Sequence, residues 1–111
     1  MANPSSGGCG LNMPAKPRQL RLRPLAEADL EEIWLYTFEN WSSEQADKYL
    51  RDLIVAMELL ARGDRIGRVC NVRDGYCQYA VGSHIVFYRM TDAALEVSRI
   101  LHQRMDVDRH L

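Results

Sequence analysis

The chain has 111 residues, 47% of them hydrophobic and 26% charged, with a formal net charge of −1. That length allows one domain with one modest core, burying about 60–70% of the unfolded chain's surface. No apolar run approaches the roughly 18–20 residues of a membrane span, and residues 1–10 lack the basic and apolar segments of a secretory signal, so the cytoplasm is the expected compartment.

Residues 1–15, MANPSSGGCGLNMPA, are rich in Gly, Ser, Pro and Asn. Such a stretch buries too little to offset its ordering entropy and reads as a flexible tail ahead of a domain spanning 16–111. Gln19 to Arg23 alternates Leu20 and Leu22 with arginines, the period-2 pattern of a half-buried strand. Pro24 ends it and suits the first turn of a helix.

From Leu25 to Asn40 the spacing of Ala26, Leu30, Ile33, Trp34, Thr37 and Phe38, with Trp41 just beyond, predicts an amphipathic helix. Glu27, Asp29, Glu31 and Glu32 crowd its first turns, where carboxylates complement the helix dipole. Ser42 to Gln45 reads as a capping box. A second helix then runs to about Ala61 on a stripe of Ala46, Tyr49, Leu50, Leu53, Met57 and Leu60, ended by Gly63. The short connection makes the two an antiparallel hairpin.

Asp64 to Asp74 reads as a polar, arginine-bearing loop. Tyr76–Val81 and His84–Met90, joined by Gly82-Ser83, predict a β-hairpin. Leu95–Leu101 forms a last strand, and His102–Leu111 a charged tail. The order β-α-α-β-β-β predicts an α+β fold, a mostly antiparallel four-stranded sheet with a helical hairpin on one face.

Charge is segregated along this order. Residues 25–61 hold nine acidic side chains against Lys48 and Arg51, while residues 1–24 hold four basic side chains and no acid, and residues 62–111 eight arginines against six acids. Separated blocks of opposite sign steer partners more than they stabilise a fold. Cys9, Cys70 and Cys77 form no CxxC pair and have no histidine at zinc-ligand spacing, so they read as reduced, structural or incidental thiols, and no metal or cofactor is expected.

Three residue groups are candidates for function. Trp34, Phe38, Trp41 and Tyr49 are either core or anchors for a partner's apolar side chains. Arg62, Arg65, Arg68 and Arg73 either decorate a solvated loop or recognise phosphate or an acidic peptide. Tyr88, Arg99 and His102 could together supply charge stabilisation and proton transfer for RNA cleavage.

The segment PLAEADLEEIWLYTFENWSSEQADKYL resembles the helical hairpin of ParE toxins, GYCQYAVGSHIVFYRM their central β-hairpin, and VSRILHQRMDVDRHL their closing strand and tail. Together the matches span 16–111. The resemblance places the chain in the RelE/ParE superfamily, the plasmid-stabilisation toxins of type II toxin–antitoxin systems. It implies inhibition of DNA gyrase, growth arrest, and neutralisation by a ParD-like antitoxin whose helix lies along the hairpin. Membrane association and sequence-specific DNA binding by the chain alone are not implied. On this basis Trp34, Phe38, Trp41 and Tyr49 are expected to contact the antitoxin, with Arg68 and Arg73 facing an acidic antitoxin tail. His102, Arg104 and Arg109 are expected to contact the target. ParE toxins transfer no catalytic residues. The related RelE toxins are ribosome-dependent mRNA endonucleases, which keeps Tyr88, Arg99 and His102 as the alternative, and a non-toxic antitoxin-binding relative is a third possibility. The second helix departs from the RelE pattern, since its Lys48 and Arg51 sit among Glu44, Asp47, Asp52 and Glu58.

Overall fold

The computed structural model describes residues 18–70 and 75–105. The expected tail at 1–15, Arg73 and Arg109 lie outside them. In chain order the elements are β1 (Gln19–Leu22), α1 (Pro24–Asn40), α2 (Ser43–Arg62), β2 (Arg68–Val69), β3 (Cys77–Val81), β4 (His84–Met90) and β5 (Ala94–His102).

The architecture is α+β, with one correction. The sheet has five strands, ordered β1-β5-β4-β3-β2. The added strand, β2, has two residues, paired as Arg68↔Gln78 and Val69↔Cys77 inside the segment expected to be a loop. Two residues are too few to show a period, so the sequence carries no signal for it. β1 runs parallel to β5 and the other pairs are antiparallel. β5 also reaches one residue further than expected, so His102 belongs to the sheet and not to the tail.

Local chemistry accounts for the helix ends. Pro24 occupies the start of α1, where its missing N–H is no loss. The Ser42 hydroxyl accepts from the Gln45 backbone N–H and caps α2. Gly63 closes α2 at φ 87°, the left-handed conformation that favours glycine.

The core lies between the hairpin and one sheet face. Leu53, Met57 and Leu60 of α2, with Ala26 and Ile33 of α1, pack on Val86, Tyr88, Leu95, Val97 and Ile100. A smaller cluster joins Cys70, Phe87 and Leu101, with Tyr76 and Ile85 against it. Cys70 is a buried free thiol. Cys77 is disulfide-bonded, contrary to the expectation that all three thiols are reduced. No helix among the described residues is long and apolar enough to cross a membrane.

Candidate functional site

α1 packs on the core with only a narrow stripe. Ala26, Asp29 and Ile33 are its buried residues, while Leu25, Leu35, Tyr36 and Phe38 are exposed. The apolar stripe read from the sequence therefore splits: its first half faces the sheet and its second half faces solvent. Trp41 sits beyond the helix end with 73% of its surface exposed, and Phe38 retains 45%. Neither is core.

Trp34 organises the outward face. Its ring stacks on Phe38 with centroids 5.1 Å apart and planes 8° from parallel, and its Nε1–H donates to Asp47 Oδ1 of α2 at 2.9 Å. With that polar edge satisfied, Trp34 presents an apolar surface. It lines a groove of about 510 Å³ together with Leu30, Glu31 and Leu35 of α1 and Leu50 of α2. The groove is apolar with an acidic edge, an arrangement suited to a partner's apolar side chains.

Tyr49 does not belong to this groove. Its ring packs against the core. Its hydroxyl accepts from the Ser83 N–H at 3.0 Å and lies 3.2 Å from the Val81 carbonyl and 2.8 Å from His84 Nδ1. These bonds tie α2 to the β3–β4 turn. A Cβ at Gly82 would sit 2.7 Å from the Tyr49 ring, so only glycine allows this approach. The Tyr49 hydroxyl is thus occupied by bonds within the chain. It faces His84, whose ring meets that of His102 edge-on at 5.3 Å. Burial, followed by the charge of His102, lowers the His84 pKa. His84 was not singled out in the sequence; its pairing with His102 across two strands is what the fold adds.

The three groups considered for RNA cleavage are not assembled. Tyr88 is fully buried, and its hydroxyl accepts the Gly67 N–H at 3.0 Å. Burial pushes its pKa up to about 12, out of range for proton transfer near neutrality. Arg99 is clamped by Asp29, Nε to Oδ2 at 2.8 Å and Nη2 to Oδ1 at 2.9 Å. His102, like Arg99, is partly exposed, and its Nδ1 accepts the Arg104 N–H.

Asp29 is the residue that sequence reasoning misplaced. The sequence places it among the first-turn carboxylates that complement the helix dipole, yet it is 7% exposed and accepts a third bond, from the Ile100 backbone N–H. β1 reaches only to Val97 along β5, so α1 supplies the acceptor that β1 does not extend to. The signal was present: Asp29 falls three after Ala26 and four before Ile33, on the buried stripe.

The loop arginines also separate. Arg62 ends α2 and pairs with Asp64 at 3.4 Å on the surface. Arg65 and Arg68 lie on two grooves that meet at Tyr79 and Ala80 along β3. Arg68 is exposed and available to a partner there, and Arg104 is exposed past the end of β5.

The family described as "ParE toxin of type II toxin-antitoxin system, parDE" matches residues 20–107. The chain belongs to this family. It is 50% identical over 92 residues to Toxin ParE1 of Mycobacterium tuberculosis, covering 81% of this chain and 94% of that one. It is 42% identical over 97 residues to Toxin ParE1 of Caulobacter vibrioides, covering 86% and 98%. In fold, this ParE-family toxin is similar to a chain of the chromosomal ParDE toxin–antitoxin system of P. aeruginosa, with TM-score 0.69 and 19% identity over 77% of this chain and 95% of that one. A chain of the RelBE2 toxin–antitoxin complex of Mycobacterium tuberculosis gives TM-score 0.62 and 19% identity over 83% and 98%.

Proposed function

We propose that this toxin arrests growth by binding DNA gyrase and is neutralised by a ParD-like antitoxin docked along its helical hairpin. The observation that carries the choice of target is the Asp29–Arg99 pair. With that guanidinium committed to a buried carboxylate and the Tyr88 hydroxyl sealed in the core, neither is left to act on a scissile phosphate among the described residues. Such a surface acts by binding rather than by chemistry. The open groove beside Trp34 and the exposed Phe38 and Trp41 supply the antitoxin surface. Arg68 and Arg73 are assigned a second contact with the antitoxin, and His102, Arg104 and Arg109 the contact with the target, on the family resemblance of the sequence.

The adjacent His84 and His102 give the mRNA endonuclease reading its remaining support, since two imidazoles can act as acid and base. Paired assays decide between the two. Purified gyrase should lose supercoiling activity in the presence of the full chain, and a chain truncated after Leu101, which removes His102, Arg104 and Arg109, should lose that effect while keeping antitoxin binding. Cleaved mRNA on translating ribosomes with gyrase untouched, and a drop of ~10²–10⁴-fold in cleavage for His102→Ala, would overturn the gyrase assignment. Unimpaired growth at confirmed soluble expression would instead identify a non-toxic, antitoxin-binding relative.

A further inference from the structure

We infer that the groove between α1 and α2 takes a basic amphipathic helix, with apolar side chains seated against Trp34, Leu35 and Leu50 and lysines or arginines reaching the acidic edge of α1. The inference rests on the antitoxin reading and gives the chemistry of the docking segment.

The apolar part follows from the groove itself. Trp34, Leu35 and Leu50 line it, and the one polar edge of Trp34 is already bonded to Asp47. A small polar ligand would find few groups to orient it, whereas several aliphatic side chains at helical spacing would fill the space.

The basic part follows from the carboxylates beside it. Glu27, Glu31, Leu35 and Glu39 succeed one another four residues apart, so they form one row along α1. All four are exposed. The ion pairs formed among the described residues are Lys48–Asp52, Arg62–Asp64 and Arg99–Asp29, and none involves this row. Glu39 adds a second, independent sign of missing positive charge. It lies in the last turn of α1, which contains no basic residue, so a carboxylate faces the negative end of the helix dipole. Of the three basic side chains of the hairpin, Lys48, Arg51 and Arg62, Lys48 is engaged by Asp52 and Arg62 by Asp64. Trp41, exposed just past Glu39, offers a ring face to the same cation.

Charge also excludes the other occupants. A nucleic acid would meet carboxylates where it needs cations. A second copy docked symmetrically, groove to groove, would bring two acidic rows together, and like charges across an interface disfavour it.

The test uses the intact chain and two designed amphipathic helices. Both carry leucines at i, i+4 and i+7, and they differ only in having lysine or glutamate at the flanking positions. Binding is followed by Trp fluorescence and calorimetry. The lysine helix should bind at least about tenfold more tightly at low salt, and this advantage should shrink as ionic strength rises. Glu31→Lys combined with Glu39→Lys, both exposed positions, should reverse the preference. Leu35→Asp should abolish binding of both helices with the melting temperature unchanged. Equal binding of the two helices, tighter binding of the glutamate helix, or binding of neither would overturn the inference. A parallel co-purification with the small protein encoded beside this gene separates the two levels. If the wild-type chain retains no such protein, the antitoxin reading fails. If the protein is retained equally by wild type, by the double lysine variant and by Leu35→Asp, the antitoxin reading stands and the basic-helix inference fails.

Discussion

Asp29 and Arg99 stand 70 residues apart in the chain and meet through two hydrogen bonds of 2.8 and 2.9 Å, the carboxylate also accepting the Ile100 N–H. A single side chain of α1 thereby fixes the helix to β5 and satisfies the strand beyond the reach of β1. The pair is largely buried, the Arg99 side chain 18% and the Asp29 side chain 9% exposed. Replacing one partner leaves an uncompensated charge away from water. Asp29→Ala should destabilise the fold by about 3–5 kcal/mol, lowering the melting temperature by well over ten degrees at about 4–8 °C per kcal/mol. Asp29→Asn keeps one acceptor oxygen, enough for Arg99 Nε and the Ile100 N–H, but sets an amide donor against Arg99 Nη2 and removes the charge; it should cost less than alanine without restoring wild-type stability. A melt within a degree or two of wild type for the alanine variant would show that the pair is energetically idle.

Much of this fold was legible in the sequence because its signals are local. Pro24, the Ser42 cap, Gly63 and the Gly82-Ser83 turn each act over a few residues, and the element boundaries they set hold. The features that escaped are those made by distant residues. β2 exists only through its pairing with β3. Tyr49 lies on the apolar stripe of α2 as expected, yet its hydroxyl is claimed by a turn 34 residues away. Asp29 looked like its neighbours Glu31 and Glu32 until β5 was placed beside it. The outward turn of Phe38 and Trp41 was equally hidden, since spacing alone gives an apolar stripe and not which part of it the sheet covers.

The buried Tyr88 hydroxyl makes stability sensitive to alkali. Burial raises its pKa from 10.0 to about 12 in the folded chain. The unfolded chain therefore releases this proton first, so the contribution is complete below pH 10 and disappears as pH rises toward 12. Tyr88→Phe should flatten part of that decline in urea melts across the interval; Tyr49, also raised by burial, accounts for some of the remainder. An alkaline decline identical in wild type and variant would remove Tyr88 from the account.

Gly67 sets the approach that buries this hydroxyl. A Cβ there would collide with the Tyr88 hydroxyl and come within 2.6 Å of the Gln78 carbonyl oxygen. Gly67→Ala should therefore cost about 1–3 kcal/mol, the range for overpacking a well-filled interior. Equilibrium denaturation would measure it, and a neutral or stabilising effect would contradict the close contact.

At the acid end, His84 acts in the opposite direction. Its folded pKa lies below 6.5 because burial and then His102 disfavour its charge, against a smaller opposing pull from Asp29, while Tyr49 shares its Nδ1. The unfolded chain takes up the proton first, so stability is complete above pH 6.5 and falls as pH drops through the folded value. His84→Gln should blunt this loss when melting temperatures are compared at about pH 7.5 and 5.5, on either side of the unperturbed value. An unchanged acid slope would mean that other groups control it.

The contrast between Trp41 and Tyr49 separates binding from folding within what the sequence presents as one aromatic set. Trp41 is 73% exposed, so little of its area stabilises the fold. If it anchors the antitoxin, Trp41→Ala should weaken that complex by about 1–3 kcal/mol and leave the melt of the free toxin almost unmoved. Tyr49→Phe should do the reverse. It keeps the ring against the core but strips acceptors and donors from Ser83, Val81 and His84. The Ser83 turn is exposed, and water can replace part of what is lost there, so the cost should be about 1 kcal/mol rather than the full desolvation penalty. Because the ring remains and the groove beside Trp34 is untouched, antitoxin affinity of the folded Tyr49→Phe variant should stay within about twofold of wild type, well under 1.4 kcal/mol. Calorimetric titration and thermal melts on the two variants give four numbers. A large affinity loss in Tyr49→Phe without a change in its melt would return Tyr49 to the interface and move the docking surface toward the β3–β4 turn.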